Sequence, residues 1–411
     1  MFAMEMIKRV TVFLLIIITV GLFPPFGGGY IREVYGEVTE DNNKDKQAET
    51  QIEDIGGKAQ SEIESLYEYI NKMKTDVEIM QDLDPIDYIQ TYIKEGHGTI
   101  SFEVLAKAFL SVLFKEVRTV LKLCFSIVII AVLCSLIKNL QESFASESIS
   151  EVAFYACYAI IIMILSKSFI VSISVAKDVI HNISDFMSAL LPILVTMIGL
   201  TGGAMQVATL DPIILVCVVF IPKLYADVII PMILMQFVLE FANNLSKEHK
   251  IGNLCSLLKQ CIVWFQGAIV TIFIGILTIR GITSSTLDAV TLKTAKFAVD
   301  NFIPIVGKAF SDAISSVAGY SLIIKNAISS IGLLIIILIM LYPITKLVLM
   351  TFIYKLCGAL IEPISDSRIT KSLEAAGKSM TLITSCVLTV SLMFFVLIAI
   401  MASSGKYIIG G

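Results

Sequence analysis

Long runs without any charged side chain divide the second half of the chain. Three of them cover residues 260–279, 326–345 and 379–405, and further apolar runs lie between Leu123 and Leu239. Each of the three is about as long as the ~20 residues that a helix needs to cross the hydrocarbon of a bilayer. Backbone polar groups in lipid must be paired within their own segment, so these runs predict helices. The pattern predicts an all-α, polytopic helical integral membrane protein.

Composition supports this class and separates a soluble block from the membrane part. The chain is 56% hydrophobic and 16% charged, with a mean hydropathy of +0.85, which is more apolar than a soluble domain requires. The net charge of −4 is uneven, because residues 33–90 hold 16 acidic and 5 basic side chains. The remainder is therefore basic, as expected where Lys and Arg hold loops at a cytoplasmic surface.

The first residues predict a targeting segment. Residues 1–29 combine the basic pair Lys8 and Arg9 with an apolar stretch over residues 10–23, followed by a proline pair and small residues. This order is typical of a cleaved signal peptide, and an uncleaved signal anchor is the alternative. Both alternatives place the acidic region 30–100 outside the cytoplasm.

Two amphipathic stretches precede the membrane domain. Within the extracytoplasmic region, apolar residues recur at spacings of three and four over residues 59–80, which predicts a short heptad helix against the membrane domain or a partner. Residues 101–122 carry Lys107, Lys115 and Arg118 opposite an apolar face. This predicts a basic amphipathic helix that lies along the membrane surface or packs with its basic face toward solvent.

The membrane domain is predicted over residues 123–405, with six to eight membrane segments. The eight cysteines lie in or beside its apolar runs without a CxxC pair, which predicts small buried hydrophobic side chains. Phosphate-binding, zinc-protease and nucleophile-elbow motifs are absent, as are basic patches with interleaved aromatic residues. The sequence therefore predicts neither an enzyme nor a nucleic-acid binder, and it indicates no cofactor or metal.

Helix-breaking residues cluster at 189–212. They are Pro192, Gly199, Gly202, Gly203 and Asp211. Proline removes a backbone hydrogen bond and glycine permits a sharp reversal, so the stretch predicts a broken or re-entrant helix beside a conduit. The alternative is a tight turn between two ordinary spans, with the aspartate at the interface.

Charges recur at helical intervals in residues 280–327. The candidate positions are Lys296, Asp300, Pro304, Gly307, Lys308 and Asp312. Each Lys–Asp pair is four residues apart and can meet on one helix face. Two re-entrant helices that line a protein-covered cavity would explain the pattern. Two amphipathic helices on the membrane surface would explain it equally well.

Three separated motifs resemble the stage III sporulation protein AE family of endospore-forming bacteria. They are ALLPILVTMIGLTGG, RGITSSTLDAVTLKTAKFAVDNFIPIVGKAFSDA with the following SLIIKNAI, and EPISDSRITKSLEAAGKSM with the following SLMFFVL. The signal-like start and the acidic stretch also match the layout of that family.

The resemblance implies a role in endospore formation. The family belongs to a multi-protein complex of the mother-cell membrane around the forespore, similar to a secretion apparatus or channel. A separate cytoplasmic ATPase and ring-forming proteins are its expected partners. This chain would be the largest multi-pass, permease-like and non-catalytic subunit. From the residues alone, a stand-alone secondary transporter of a small solute and a structural scaffold remain open as alternatives.

Overall fold

The structure of the chain is a computed structural model that describes Glu68 and residues 102–144, 147–201, 207, 216–245, 251–302 and 307–404. The signal-like segment 1–29 and, apart from Glu68, the acidic region with its predicted heptad helix lie outside the described residues. So do Gly202, Gly203, Asp211 and Pro304.

Helices make up nearly all of the described chain, and no strand occurs in these ranges. The α-helices are α1 (Phe102–Phe144), α2 (Glu147–Leu200), α3 (Ile221–Leu224), α4 (Ile230–Leu245), α5 (Gly252–Phe302), α6 (Gly307–Ile361) and α7 (Ser367–Ser403). Among the described residues, six helical stretches are long and apolar enough to cross a membrane, with Cys217–Leu245 counted as one. The predicted all-α membrane architecture is confirmed.

Several helices are much longer than a bilayer is thick. With 54 residues, α2 extends over roughly 80 Å, against about 30 Å of hydrocarbon. The basic amphipathic stretch from Phe102 onward and the apolar run 123–137 form the single helix α1. The apolar segments 326–345 and 347–361 likewise form one helix, α6, which continues through Pro343. Stretches that differ in polarity are thus parts of one continuous helix.

The stretch 216–245 is interrupted by two π-helical turns. Val216–Phe220 and Tyr225–Ile229 each end two residues before a proline, Pro222 and Pro231. Proline has no N–H group, so in an α-helix Pro222 would leave the Val218 carbonyl four residues earlier without its donor. The Ser184 hydroxyl of α2 donates to that carbonyl at 2.8 Å. The interruption is therefore stabilised by the neighbouring helix.

Helix α7 lies at the centre of the bundle. In its apolar window 61% of the residues are buried, against 22% in the window of α5. It packs against α2, α4, α5 and α6. Its buried apolar side chains recur at spacings of three and four, as expected for a helix with one broad packed face. They include Ile369, Leu373, Ala376, Met380, Ile383, Val387, Val390, Phe394, Leu397 and Met401.

Glycines allow the helices around α7 to approach closely. A Cβ atom on Gly332 of α6 would lie 2.8 Å from Leu190 Cδ2 of α2 and 3.6 Å from Ile398 Cδ1 of α7. A Cβ atom on Gly377 of α7 would lie 3.2 Å from Lys355 Cγ of α6. Small residues at helix contacts are typical of membrane bundles, where packing replaces the hydrophobic driving force. Gly332 therefore marks the junction of three helices.

Replacing Gly332 with alanine tests this junction. The new methyl group would overlap Leu190, and overpacking of this kind costs about 1–3 kcal/mol. We expect Gly332→Ala to lower the Tm of the purified chain in detergent. Gly267→Ala on α5 is the matched control, because no atom lies within 4 Å of the position of its Cβ. Its Tm should stay the same or rise, since alanine favours helix over glycine. Equal losses of Tm in both variants would contradict the junction.

Candidate functional site

Helix α7 carries buried polar side chains at several points along its otherwise apolar packed face. We call them, together with their partners on other helices, the polar seam. On α7 they are Ser372, Ser379, Thr384, Ser385 and Ser391, and the partners are Tyr158, Gln236, Gln266 and Thr351. All of these side chains are buried except that of Ser385, which is half-buried. The seam thus combines burial with hydrogen-bonding chemistry on several helices of the described core.

Two glutamines connect the seam to the fourth and fifth helices. Gln266 of α5 donates from Nε2 to Cys386 Sγ at 2.9 Å and accepts from the Ser385 hydroxyl at 3.1 Å. Gln236 of α4 is fully buried and accepts from the Ser379 hydroxyl at 3.4 Å. A glutamine amide in an apolar environment needs such partners, because an unpaired polar group there is costly.

Two further contacts connect α7 to α2 and α6. The Tyr158 hydroxyl of α2 and the Ser372 hydroxyl lie 2.7 Å apart, and those of Thr351 and Thr384 lie 3.3 Å apart. The hydroxyls of Ser372, Thr351 and Thr384 also donate to the carbonyl four residues earlier in their own helices. Because each hydroxyl has one proton, the Tyr158 hydroxyl donates to Ser372, and a hydrogen bond between Thr351 and Thr384 requires one of them to release its own backbone carbonyl.

The seam also contains buried polar atoms that have no hydrogen-bond partner. Within the part of the chain that the structure describes, Gln236 Nε2 and the Ser391 hydroxyl of the seam are buried and have no hydrogen-bond partner. Buried polar atoms in folded proteins usually have a hydrogen-bond partner. The seam is therefore a candidate site because it combines buried hydrogen bonds between helices with polar atoms that are still available for a further partner.

The N-terminus of α7 is held by charge. Asp366 caps the helix, with Oδ1 accepting from the Arg368 backbone N–H at 2.9 Å. Arg368 Nε lies 3.3 Å from the same oxygen, and the guanidinium sits 3.8 Å from the centre of the Phe154 ring of α2. A carboxylate at the positive end of the helix dipole and a cation over an aromatic face both stabilise this start.

The C-terminus of α7 is held by a buried lysine. Lys325 of α6 is fully buried, and its Nζ donates to the carbonyls of Ala402, at 3.0 Å, and Ser404. The last carbonyls of a helix lack partners within the helix and carry its negative partial charge. A cation is the complementary group, and burial makes this charge-assisted contact stronger.

Comparison with known proteins identifies the family. A family model described as Stage III sporulation protein AE (spore_III_AE) matches residues 83–405. The stage III sporulation protein AE of Bacillus subtilis (strain 168) is 30% identical over 311 residues, which cover 76% of this chain and 78% of that protein. The chain belongs to the stage III sporulation protein AE family. No solved structure matches it.

In this member of the stage III sporulation protein AE family, the structure describes only some of the predicted conduit positions. Pro192 lies inside α2, which continues to Leu200, and both Pro192 and Gly199 are exposed. Gly202, Gly203, Asp211 and Pro304 fall outside the described residues. Lys296 and Asp300 lie in the last part of α5, and Gly307, Lys308 and Asp312 in the first turns of α6. Their role in a conduit stays a prediction.

The seam itself was not predicted from the sequence. Its clearest signals are the lone glutamines in otherwise apolar stretches, PMILMQFVL for Gln236 and CIVWFQGAIV for Gln266. Polar side chains that survive in such runs usually contact other helices. The role of Lys325 had no local signal, because its partners are backbone carbonyls 77 and 79 residues away.

Substituting Gln266 tests the seam. Gln266→Met keeps the length of the side chain and removes both contacts with α7. Polar contacts between membrane helices contribute about 0.6 kcal/mol on average and up to ~1.7 kcal/mol. We expect a lower Tm in detergent, with Gln260→Met as the control, because Gln260 is exposed on the same helix. Identical Tm values for both variants would show that the seam does not hold α5 to α7.

Substituting Lys325 tests the C-terminal cap of α7. Lys325→Met keeps the aliphatic length but leaves two carbonyls without their donor, and hydrogen bonds of charged groups contribute about 1.5–3 kcal/mol. We expect faster backbone hydrogen exchange over residues 398–404 and a lower Tm. Lys346→Met is the control, since Lys346 is partly exposed and contacts Tyr342 of its own helix. Unchanged exchange in Lys325→Met would refute the capping role.

Proposed function

We propose that the chain is a multi-pass membrane subunit of the channel or secretion-like complex that connects mother cell and forespore during endospore formation. Membership of the stage III sporulation protein AE family, matched over residues 83–405, carries the proposal. The match includes all six helical stretches that are able to cross a membrane. The subunit would act as a non-catalytic, permease-like part of the conduit, in the mother-cell membrane around the forespore.

The partners follow from the same reasoning. A complex that moves material between two cells needs an energy source, and we assign this role to a separate cytoplasmic ATPase. Ring-forming proteins of the complex would provide the connection between the two membranes. Hydrogen bonds between α7 and its neighbours hold the described core together, as a subunit that docks into an assembly requires.

A stand-alone secondary transporter is the alternative that experiment must separate from this proposal. Such a transporter would couple solute movement to protons or ions at acidic residues in the membrane domain, with Asp211, Asp300 and Asp312 as candidates. A pure scaffold, docked through the helix predicted over residues 59–80, is the other alternative.

Two measurements decide between these functions. Deletion of the gene for this chain in its spore-forming host should abolish the formation of heat-resistant spores. A wild-type copy of the gene supplied in trans should restore it. The purified chain in liposomes should give no solute flux of its own, whereas its complex with partner proteins, captured from sporulating membranes, should contain the ATPase. Flux through the chain alone would favour the transporter. Normal spore counts after deletion would refute the proposal.

A further inference from the structure

Ionisable and polar side chains form a line on the outer face of α2. We call this line the α2 stripe, and it consists of Ser174, Asp178, His181, Asp185 and Ser188, all exposed. The spacings of four, three, four and three residues place them on one face of a helix. The Ser174 hydroxyl donates to Asp178 Oδ2 at 3.4 Å. The line extends over about 21 Å, at 1.5 Å per residue.

Contacts with α6 fix the height of the stripe in the bundle. Leu190 of α2 meets Gly332 of α6, and Tyr354 of α6 lies beside Ser168 of α2. The two helices are therefore antiparallel, and the stripe lies beside residues 334–348 of α6. Most of this stretch belongs to the uncharged run 326–345, which has the length and composition that hydrocarbon accommodates. The stripe is thus at the depth of the membrane.

The neighbouring segment adds ionisable groups at the same height. Ser184 of α2 contacts Val218, and the rings of Phe169 and Phe237 stack with centroids 3.7 Å apart. This antiparallel register places Lys223 and Asp227 level with the middle of the stripe. Both are exposed, although they lie within a stretch able to cross the membrane. Two consecutive membrane segments therefore present charges outward at one depth.

The outer surface of α5 around Ile272 is apolar, in contrast to the α2 stripe. Ile272 and Ile274 of α5 follow Gln266, which contacts α7 in its uncharged run, and they are 61% and 56% exposed. That surface suits lipid. The α2 stripe does not, because ionisable side chains at membrane depth face protein interiors or water-filled cavities. Between its two terminal serines, the stripe consists of Asp178, His181 and Asp185, which are not the small residues through which membrane helices pack closely against each other.

We propose that the α2 stripe, together with Lys223 and Asp227, faces water and lines the aqueous path of the complex. The inference rests on the proposed function, because the path is closed by other subunits. Its carboxylates and imidazole stay hydrated there, and the path carries charges of both signs. The surface of α5 around Ile272 faces lipid instead.

Cysteine accessibility in sporulating membranes tests the assignment. Single cysteines would replace Asp178, His181 and Asp185, and Ile272→Cys on α5 is the control for exposed positions that face lipid. The background is a full-length chain without native cysteines that still restores spore formation. The probe is a charged, membrane-impermeant methanethiosulfonate, applied to membranes with the assembled complex. Thiolates form in water and not in lipid, so we expect reaction at the three α2 positions at least about tenfold faster than at position 272.

The outcomes separate this inference from the proposed function. Slow reaction at all three α2 positions, equal to that at position 272, would show that lipid or a second protein covers the stripe, and would overturn the inference. Reaction at position 178 with protection at position 185 would overturn it as well, because only the edge of the stripe would then reach water. Spore formation by the cysteine-free chain is measured separately, so either result leaves the proposed function standing.

Discussion

The structure depends on the burial of one broad face of α7, which extends from Ile369 to Met401. α7 is surrounded by α2, α4, α5 and α6, so neither lipid nor water reaches most of its surface. Its end groups and its hydroxyls must then be satisfied by other parts of the chain, since an unpaired polar group in such a place costs several kcal/mol. Asp366 at the start and Lys325 at the end meet this requirement with charges of the sign that the helix dipole favours. Between these two ends, the polar seam provides hydrogen-bond partners for some of the hydroxyls of α7.

This constraint also explains why glycine and serine recur where the helices meet. Gly332 and Gly377 remove side-chain volume at contacts where Leu190 and Lys355 occupy the space. At other helix contacts, the short hydroxyl side chains of Ser379 and Ser385 reach glutamines on the neighbouring helices. Ser184 likewise reaches the carbonyl that Pro222 leaves without a donor. Small residues and polar contacts are thus two aspects of the same packing.

Hydrophobic length was enough to predict the helices, because crossing hydrocarbon is a local property of a segment. The uncharged runs 260–279 and 326–345 lie in α5 and α6, and 379–403 forms most of α7. The sites were harder to predict, because they depend on register between distant segments. Lys325 gains its role only when α6 and α7 are antiparallel, and Ser184 only when α2 lies beside Val218. The predicted positions at Lys296 and Asp300 were chosen for their charge pattern, and a pattern alone does not say which helix they face.

The arrangement of polar groups separates the functional alternatives more sharply than their number does. A scaffold would need polar contacts inside the bundle and an exterior that suits lipid or a protein partner. The described chain has the interior contacts, but α2 and the segment after it turn Asp185, Lys223 and Asp227 outward at membrane depth. A stand-alone transporter would enclose such groups within its own helices, because the isolated chain must shield them from lipid. Outward charges at this depth instead fit a chain that completes its surroundings with other subunits, as the proposed conduit requires.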